Sequence, residues 1–177
     1  MEEFTRSDLV PTLGDSGKVT LLKAADINFD DFETKLNLAC GHDYIEGFVN
    51  LDGDETTKAD VYCQLDLADV KLPFEDGHFD FIYASHILEH IWYLPQLKLE
   101  LIRILRTGGK MLVIVPHFLS VDAWGDDTHC RAFSPGSFYP LFWPGCTINR
   151  YLEFSIDPKD QRIMERKWIT GVIEKTS

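Results

Sequence analysis

The chain has 177 residues, 45 % of them hydrophobic, 12 % aromatic and 26 % charged, which suits one packed domain and excludes the disordered and collagen-like classes. Seventeen Lys and Arg against 29 Asp and Glu give a formal net charge of −12, so the basic footprint of a nucleic-acid or anionic-membrane binder is missing. The excess acid is confined to one half: residues 1–90 hold 20 acids and 6 bases, residues 91–177 hold 9 and 11.

In chain order, residues 1–34 are polar and acidic, interrupted by Pro11, Gly14 and Gly17, with one short apolar patch at Val19–Leu22. They read as an N-terminal leader or lid, and residues 35–177 as a single domain. The start of the chain lacks the basic and apolar regions of a secretory signal. Cys40, Cys63, Cys130 and Cys146 show no CxxC spacing, so reduced thiols in a cytoplasmic protein are expected, with no membrane segment.

From Leu36 the chain breaks into short apolar runs closed by turn residues: LNLAC, FVNLD, VYCQLDL, FDFIYA and, after Gly108 and Gly109, MLVIVP. Several are apolar on both faces, as buried parallel strands are. Between the fourth and fifth runs, WYLPQLKLELIRILRT places Leu94, Leu97, Leu101, Ile102 and Leu105 at helical spacing. Pro95 suits the first turn of that helix and the glycine pair its end. Strand, helix, turn and strand make a right-handed βαβ unit. Ser134 and Pro135 are read as the opening of a short helix through about Phe142, and the runs 148–156 and 163–173, separated by DPKDQ, as a closing antiparallel hairpin.

Ligands of open α/β sheets bind beyond the carboxyl ends of the strands. After LNLAC comes Gly41-His42-Asp43-Tyr44, with one glycine where a dinucleotide site wants three. Residues 36–57 carry five acids, Asp43, Glu46, Asp52, Asp54 and Glu55, and no Lys or Arg. A phosphate-bearing ligand is repelled there, whereas a cationic, phosphate-free one is favoured. S-adenosylmethionine, with its sulfonium, fits. Asp52, at the end of the second run, is placed to accept from ribose hydroxyls, and Asp66, after the third, from an adenine amino group, with Leu67 against the ring.

The ordered set LNLACG, VNLD, QLDL, KLPFEDGHFDFIYASHILEH and LIRILRTGGKMLVIVP, over about residues 36–142, resembles a short class I S-adenosylmethionine-dependent methyltransferase. The resemblance implies an α/β, Rossmann-like sheet of seven strands, mostly parallel with a C-terminal antiparallel hairpin. It also implies that Asn37, Ala39, Cys40 and Gly41 line the methionine portion of the cofactor and that Ser85 and His86 lie beside it. Two departures stand out. Asp43 replaces the second glycine of the usual first motif, and only six residues, 42–47, separate Gly41 from Phe48, so the first helix is expected to be short or absent.

The loop HFLSVDAWGDDTHCRAF follows the fifth run, and its His117 and His129 are the candidate bases or acceptor-positioning groups for methyl transfer to an O or N atom of a small or medium molecule. Asp122, Asp126 and Asp127 join them in a polar group whose spacing matches no firm metal signature, so no metal is assigned. Arg131 is read as a surface ion pair sooner than a contact for an anionic acceptor, and the aromatic residues 124–143 mostly as core. Two rival readings remain: a catalytically silent module of the same fold, and, through the string His86-Ile87-Leu88-Glu89-His90, an HxxEH zinc peptidase. The latter requires a long helix and a third ligand.

Overall fold

A computed structural model describes residues 27–153 and 168–177. The predicted leader up to residue 26, with its apolar patch at 19–22, and the centre of the predicted hairpin lie outside the described residues. Seven strands are described: β1 (Lys35–Leu38), β2 (Val49–Asp52), β3 (Val61–Tyr62), β4 (Phe79–Ser85), β5 (Leu105–Pro116), β6 (Cys146–Glu153) and β7 (Trp168–Lys175). They form one sheet in the order β3-β2-β1-β4-β5-β7-β6. β1 pairs in parallel with β2 and β4, β2 with β3, and β4 with β5. β7 runs antiparallel to both β5 and β6. This is the expected mostly parallel sheet with an antiparallel ending.

The expected runs become strands because their side chains are apolar on both faces: every residue of β4 is buried. One α-helix occurs among the described residues, α1 (Leu94–Ile104), with proline in its first turn and Leu94, Leu97, Leu101 and Ile104 buried. The predicted helical register is right, but the helix ends at Ile104, so Leu105 belongs to β5 and the glycine pair does not stop the helix. Instead, Phe79 pairs with Leu105 and Phe81 with Lys110, so residues 106–109 bulge from the ladder. Gly108 supplies φ 79° there, and a side chain at Gly109 would meet Arg106 O at 2.9 Å, so the bulge requires both glycines.

Two other expectations are corrected. The third strand is two residues long, leaving Asp66 and Leu67 in an irregular connection. The short helix proposed from Ser134 is a pair of 3-10 turns, Pro135–Phe138 and Pro140–Phe142. Pro140 offers no N–H and holds Tyr139 extended at ψ 146°, so an α-helix cannot run through it.

The larger apolar cluster packs α1 on one side of the sheet, with Leu88, Phe133, Phe138 and Trp143. A smaller one on Phe81, Tyr83, Leu112 and Ile114 is covered by Phe48 and by Ile27, Phe29 and Phe32. Of the aromatic residues 124–143, Phe133, Phe138 and Trp143 are core, whereas Trp124, Tyr139 and Phe142 are exposed. No helix of the described residues is long and apolar enough to cross a membrane.

Candidate functional site at the carboxyl ends of the strands

β1 and β4 are neighbours whose chains leave in opposite directions across the sheet, β1 toward β2 and β4 toward β5. That is the switch point at which an open α/β sheet leaves a crevice. Among the described residues, two that are not glycine adopt left-handed backbone, Ala39 (φ 52°) and His86 (φ 51°). Each immediately follows one of these two strands. Such strain costs about 1–3 kcal/mol per residue and is retained at functional sites.

Between β1 and β2 the expected absence of a helix is observed: residues 39–48 make turns only. Two buried asparagines do a helix's work of holding the crossover. Asn37 Nδ2 donates to Asp43 O (2.8 Å) and to Asn50 Oδ1 (2.9 Å). Asn50 Oδ1 also accepts from Ile45 N–H (2.9 Å), while its Nδ2 donates to Ile45 O and Phe48 O, each at 3.0 Å. The Asn37 amide is therefore turned to the loop backbone. Cys40, also buried, directs Sγ to Lys58 O at 3.5 Å.

Asp52 ends β2. Its Oδ2 accepts from Gly41 N–H at 2.7 Å and its Oδ1 from Asp54 N–H at 2.9 Å. Gly41 has φ 53°, the conformation that aims its N–H across to the next strand. Each carboxylate oxygen has a second lone pair, so Asp52 is oriented with acceptor capacity left over. Asp66 is exposed and takes Tyr93 N–H on Oδ1 at 2.8 Å, tying the third connection to the start of α1; Leu67 beside it is exposed. Ser85 is buried at the end of β4, and His86 Nδ1 stands 3.3 Å from Glu89 Oε1.

After β4 the chain makes a 3-10 turn, Leu88–His90. The two-histidine helix face that an HxxEH peptidase needs is thus not formed. Glu89 is 1 % exposed, and neither of its carboxylate oxygens accepts a hydrogen bond among the described residues. The loop after β5 is clamped to this turn: Cys130 N–H and Sγ both reach Glu89 O, at 3.0 and 3.3 Å, and Arg131 Nη2 donates to Trp92 O at 2.7 Å.

The two candidate histidines have different surroundings. His117 is buried, its Nδ1 accepting from Leu119 N–H at 3.2 Å, and its backbone bridges to Phe133. His129 lies against His90, ring centroids 4.5 Å apart. Ligand atoms of Glu89, His90 and His129 come within 4.8 Å of one another. Asp126 Oδ2 is 3.8 Å from His129 Nε2, and the hydroxyl and N–H of Thr128 hold the Asp126 carboxyl below its ordinary pKa. Glu89 and His90 belong to the SHILEH string that carries the methyltransferase resemblance, which assigns them no site role; the HxxEH reading is the other signal for them in the sequence.

Residues 26–113 match a family described as a methyltransferase domain. A probable S-adenosylmethionine-dependent methyltransferase from Mycolicibacterium smegmatis is 31 % identical over 99 residues, 52 % of this chain and 34 % of that protein. A sterol 4-C-methyltransferase from Caenorhabditis elegans is 42 % identical over 52 residues, 29 % of this chain and 16 % of that one. The chain spans about a third or less of the length of these curated relatives. Among solved structures, a putative methyltransferase from Bacillus halodurans superposes with TM-score 0.63 at 14 % identity, over 82 % of this chain and 93 % of that one.

Proposed function

We propose that this chain, whose residues 26–113 match a methyltransferase domain, is a class I S-adenosylmethionine-dependent methyltransferase that transfers the methyl group of S-adenosylmethionine to an O or N atom of a small or medium acceptor. The observation that carries the reading is Asp52, a carboxylate aimed across the switch point by Gly41 N–H with lone pairs to spare. In this reading it takes the two ribose hydroxyls, while the left-handed turn at Ala39–Gly41 brings backbone against the methionine portion and Ser85 and His86 flank it. Asp66 Oδ2 accepts from adenine, Oδ1 being engaged by Tyr93. The acids of residues 36–57, unbalanced by any Lys or Arg, favour the sulfonium over a phosphate.

When bound, S-adenosylmethionine supplies a methyl group that an acceptor lone pair takes by in-line displacement, a reaction that needs orientation above all. His117 and His129 are the groups we assign to the acceptor. His117 Nδ1 accepts from the Leu119 backbone N–H, which fixes the ring's orientation, and we assign this histidine to positioning the acceptor. His129 is the candidate base. We place the protein in the cytoplasm, consistent with four cysteines outside any disulfide, and take its partner to be a small molecule, not nucleic acid.

Calorimetric titration with S-adenosylmethionine, S-adenosylhomocysteine and NAD tests the cofactor assignment. Both sulfur ligands are expected to bind and NAD not to. Asp52→Asn, which retains an oxygen for Gly41 N–H, should weaken them roughly ten- to hundred-fold, as losing a charge-assisted hydrogen bond does. Absence of binding by either sulfur ligand, or affinity unchanged by the substitution, overturns it.

A further inference from the structure

We propose that Glu89, His90 and His129 form a binding site for one first-row divalent transition-metal ion, beside the carboxyl end of β4. Three independent features converge on it. The first is the juxtaposition itself: one ligand atom from each residue, all within 4.8 Å. A tetrahedral ion with bonds of about 2.1 Å sets its ligands about 3.4 Å apart, so side-chain movements of about an ångström close the site.

The second is the Glu89 carboxylate. It is 1 % exposed and neither oxygen accepts a hydrogen bond among the described residues. His86 Nδ1 approaches Oε1 only to 3.3 Å. Burying a carboxyl group so thinly supported is costly, and a coordinated cation offsets that cost.

The third is the state of the two imidazoles. Thr128 has one hydroxyl proton, and Asp126 Oδ1, 2.6 Å away, takes it, since a carboxylate can only accept. The same hydroxyl oxygen lies 2.9 Å from His90 Nδ1, so there it must accept, and His90 donates from Nδ1. The lone pair of the neutral ring is then on Nε2. His129 Nδ1 faces Ala123 O at 3.4 Å, and a carbonyl also only accepts, so His129 presents its Nε2 lone pair too. A ring N–H held on an oxygen acceptor, with the lone pair on the opposite nitrogen, is the second-sphere arrangement of metal-binding histidines.

The elements are tied together before any ion arrives: Cys130 N–H and Sγ on Glu89 O join the loop carrying His129 to the turn carrying Glu89 and His90. Two imidazoles and one carboxylate favour Zn²⁺, Co²⁺ or a similar ion over Mg²⁺ and Ca²⁺. Three protein ligands leave coordination positions for water or for an acceptor oxygen. That last role rests on the methyl-transfer reading and replaces the base role of His129, whose one lone pair the ion would occupy; metal binding itself does not rest on it.

The test uses the full chain, stripped with a chelator and titrated with Co²⁺ followed by visible absorption, and with Zn²⁺ by calorimetry. One equivalent of each is expected to bind, with a cobalt absorption band that Zn²⁺ abolishes and excess Mg²⁺ does not. Glu89→Gln and His129→Ala should each weaken binding at least ten-fold, and Thr128→Val several-fold by freeing His90 to rotate. Circular dichroism and S-adenosylhomocysteine titration accompany each variant, so that a folding defect is seen as such. Because Thr128 is exposed, its variant retains the fold and keeps the test decisive. Sub-stoichiometric binding to the parent chain, or affinity unchanged in folded variants, overturns the site. Metal binding without sulfur-ligand binding would leave the metal site standing and remove the methyl-transfer reading; the converse removes only the site.

Discussion

Ala39 holds φ 52° with a methyl group where glycine would be relaxed. The backbone there is strained for a purpose: the same turn sends Gly41 N–H to Asp52 at 2.7 Å. A β-branched residue tolerates that region far less than alanine. Ala39→Val should therefore cost about 1–3 kcal/mol in denaturant unfolding, with a loss of S-adenosylhomocysteine affinity, whereas Ala39→Gly should leave stability within about 1 kcal/mol of the parent. Equal unfolding midpoints for the valine and glycine variants would contradict the strain. Of the single residues, the place of Asp52 at the end of the second strand was readable in advance because the apolar run stops there. Ala39's strain was not, since a positive φ at alanine leaves no mark in the sequence. Nor was the pairing of His129 with His90, which depends on a loop of irregular backbone folding back across 39 positions.

At the scale of elements, α1 is locked to the connection before β4 by one ion-paired group. Arg103 Nε and Nη2 bind Glu100 at 2.7 Å each, its Nη1 reaches Phe74 O and Asp76, and Glu100 Oε2 accepts from Leu72 N–H at 2.8 Å. Periodicity showed the helix because four leucines and isoleucines share its inner face, yet it could not show that Glu100, on the same face, is buried. A charge on the apolar stripe is tolerated only with partners, and these are Arg103, one turn on in the same helix, and the backbone of a distant loop. Arg103's hydrogen bonds, with that from Leu72, hold the Glu100 carboxyl below its ordinary pKa. The native state thus binds this proton less readily than the unfolded chain, whose carboxyl titrates near pH 4.3. The resulting stability is complete above that pH and is lost as pH falls through the lower native value. Glu100→Gln should cost about 1–3 kcal/mol at pH 7, and the gap to the parent should narrow below about pH 4. A gap constant between pH 7 and pH 3 would show that the carboxylate's charge is not what holds the helix.

Across the whole molecule, strand number, direction and the absent first helix were legible, because buried strands write both faces into the sequence and the segment from Gly41 to Phe48 is too short for a helical crossover. Strand lengths were less so: β3 keeps two residues of a seven-residue apolar run, as an edge strand with a single neighbour, β2, can. The charge asymmetry has a consequence of its own. The acids of residues 36–57 lie on the edge proposed for the cofactor, and none is balanced by a Lys or Arg within that span. Their field distinguishes S-adenosylmethionine from S-adenosylhomocysteine, two ligands alike except for the methyl group and the sulfonium charge. An exposed unit charge some 8 Å away contributes about 0.5 kcal/mol in water, and several acting together a few-fold in affinity. Salt removes such terms once the Debye length falls from about 30 Å at 0.01 M to about 3 Å at 1 M. The affinity ratio of S-adenosylmethionine to S-adenosylhomocysteine should therefore fall about two- to five-fold between these concentrations, while the affinity of the uncharged-sulfur ligand changes less. A ratio indifferent to salt would mean that the acidic half serves only to keep the chain soluble, and that contacts within the crevice alone select the cofactor.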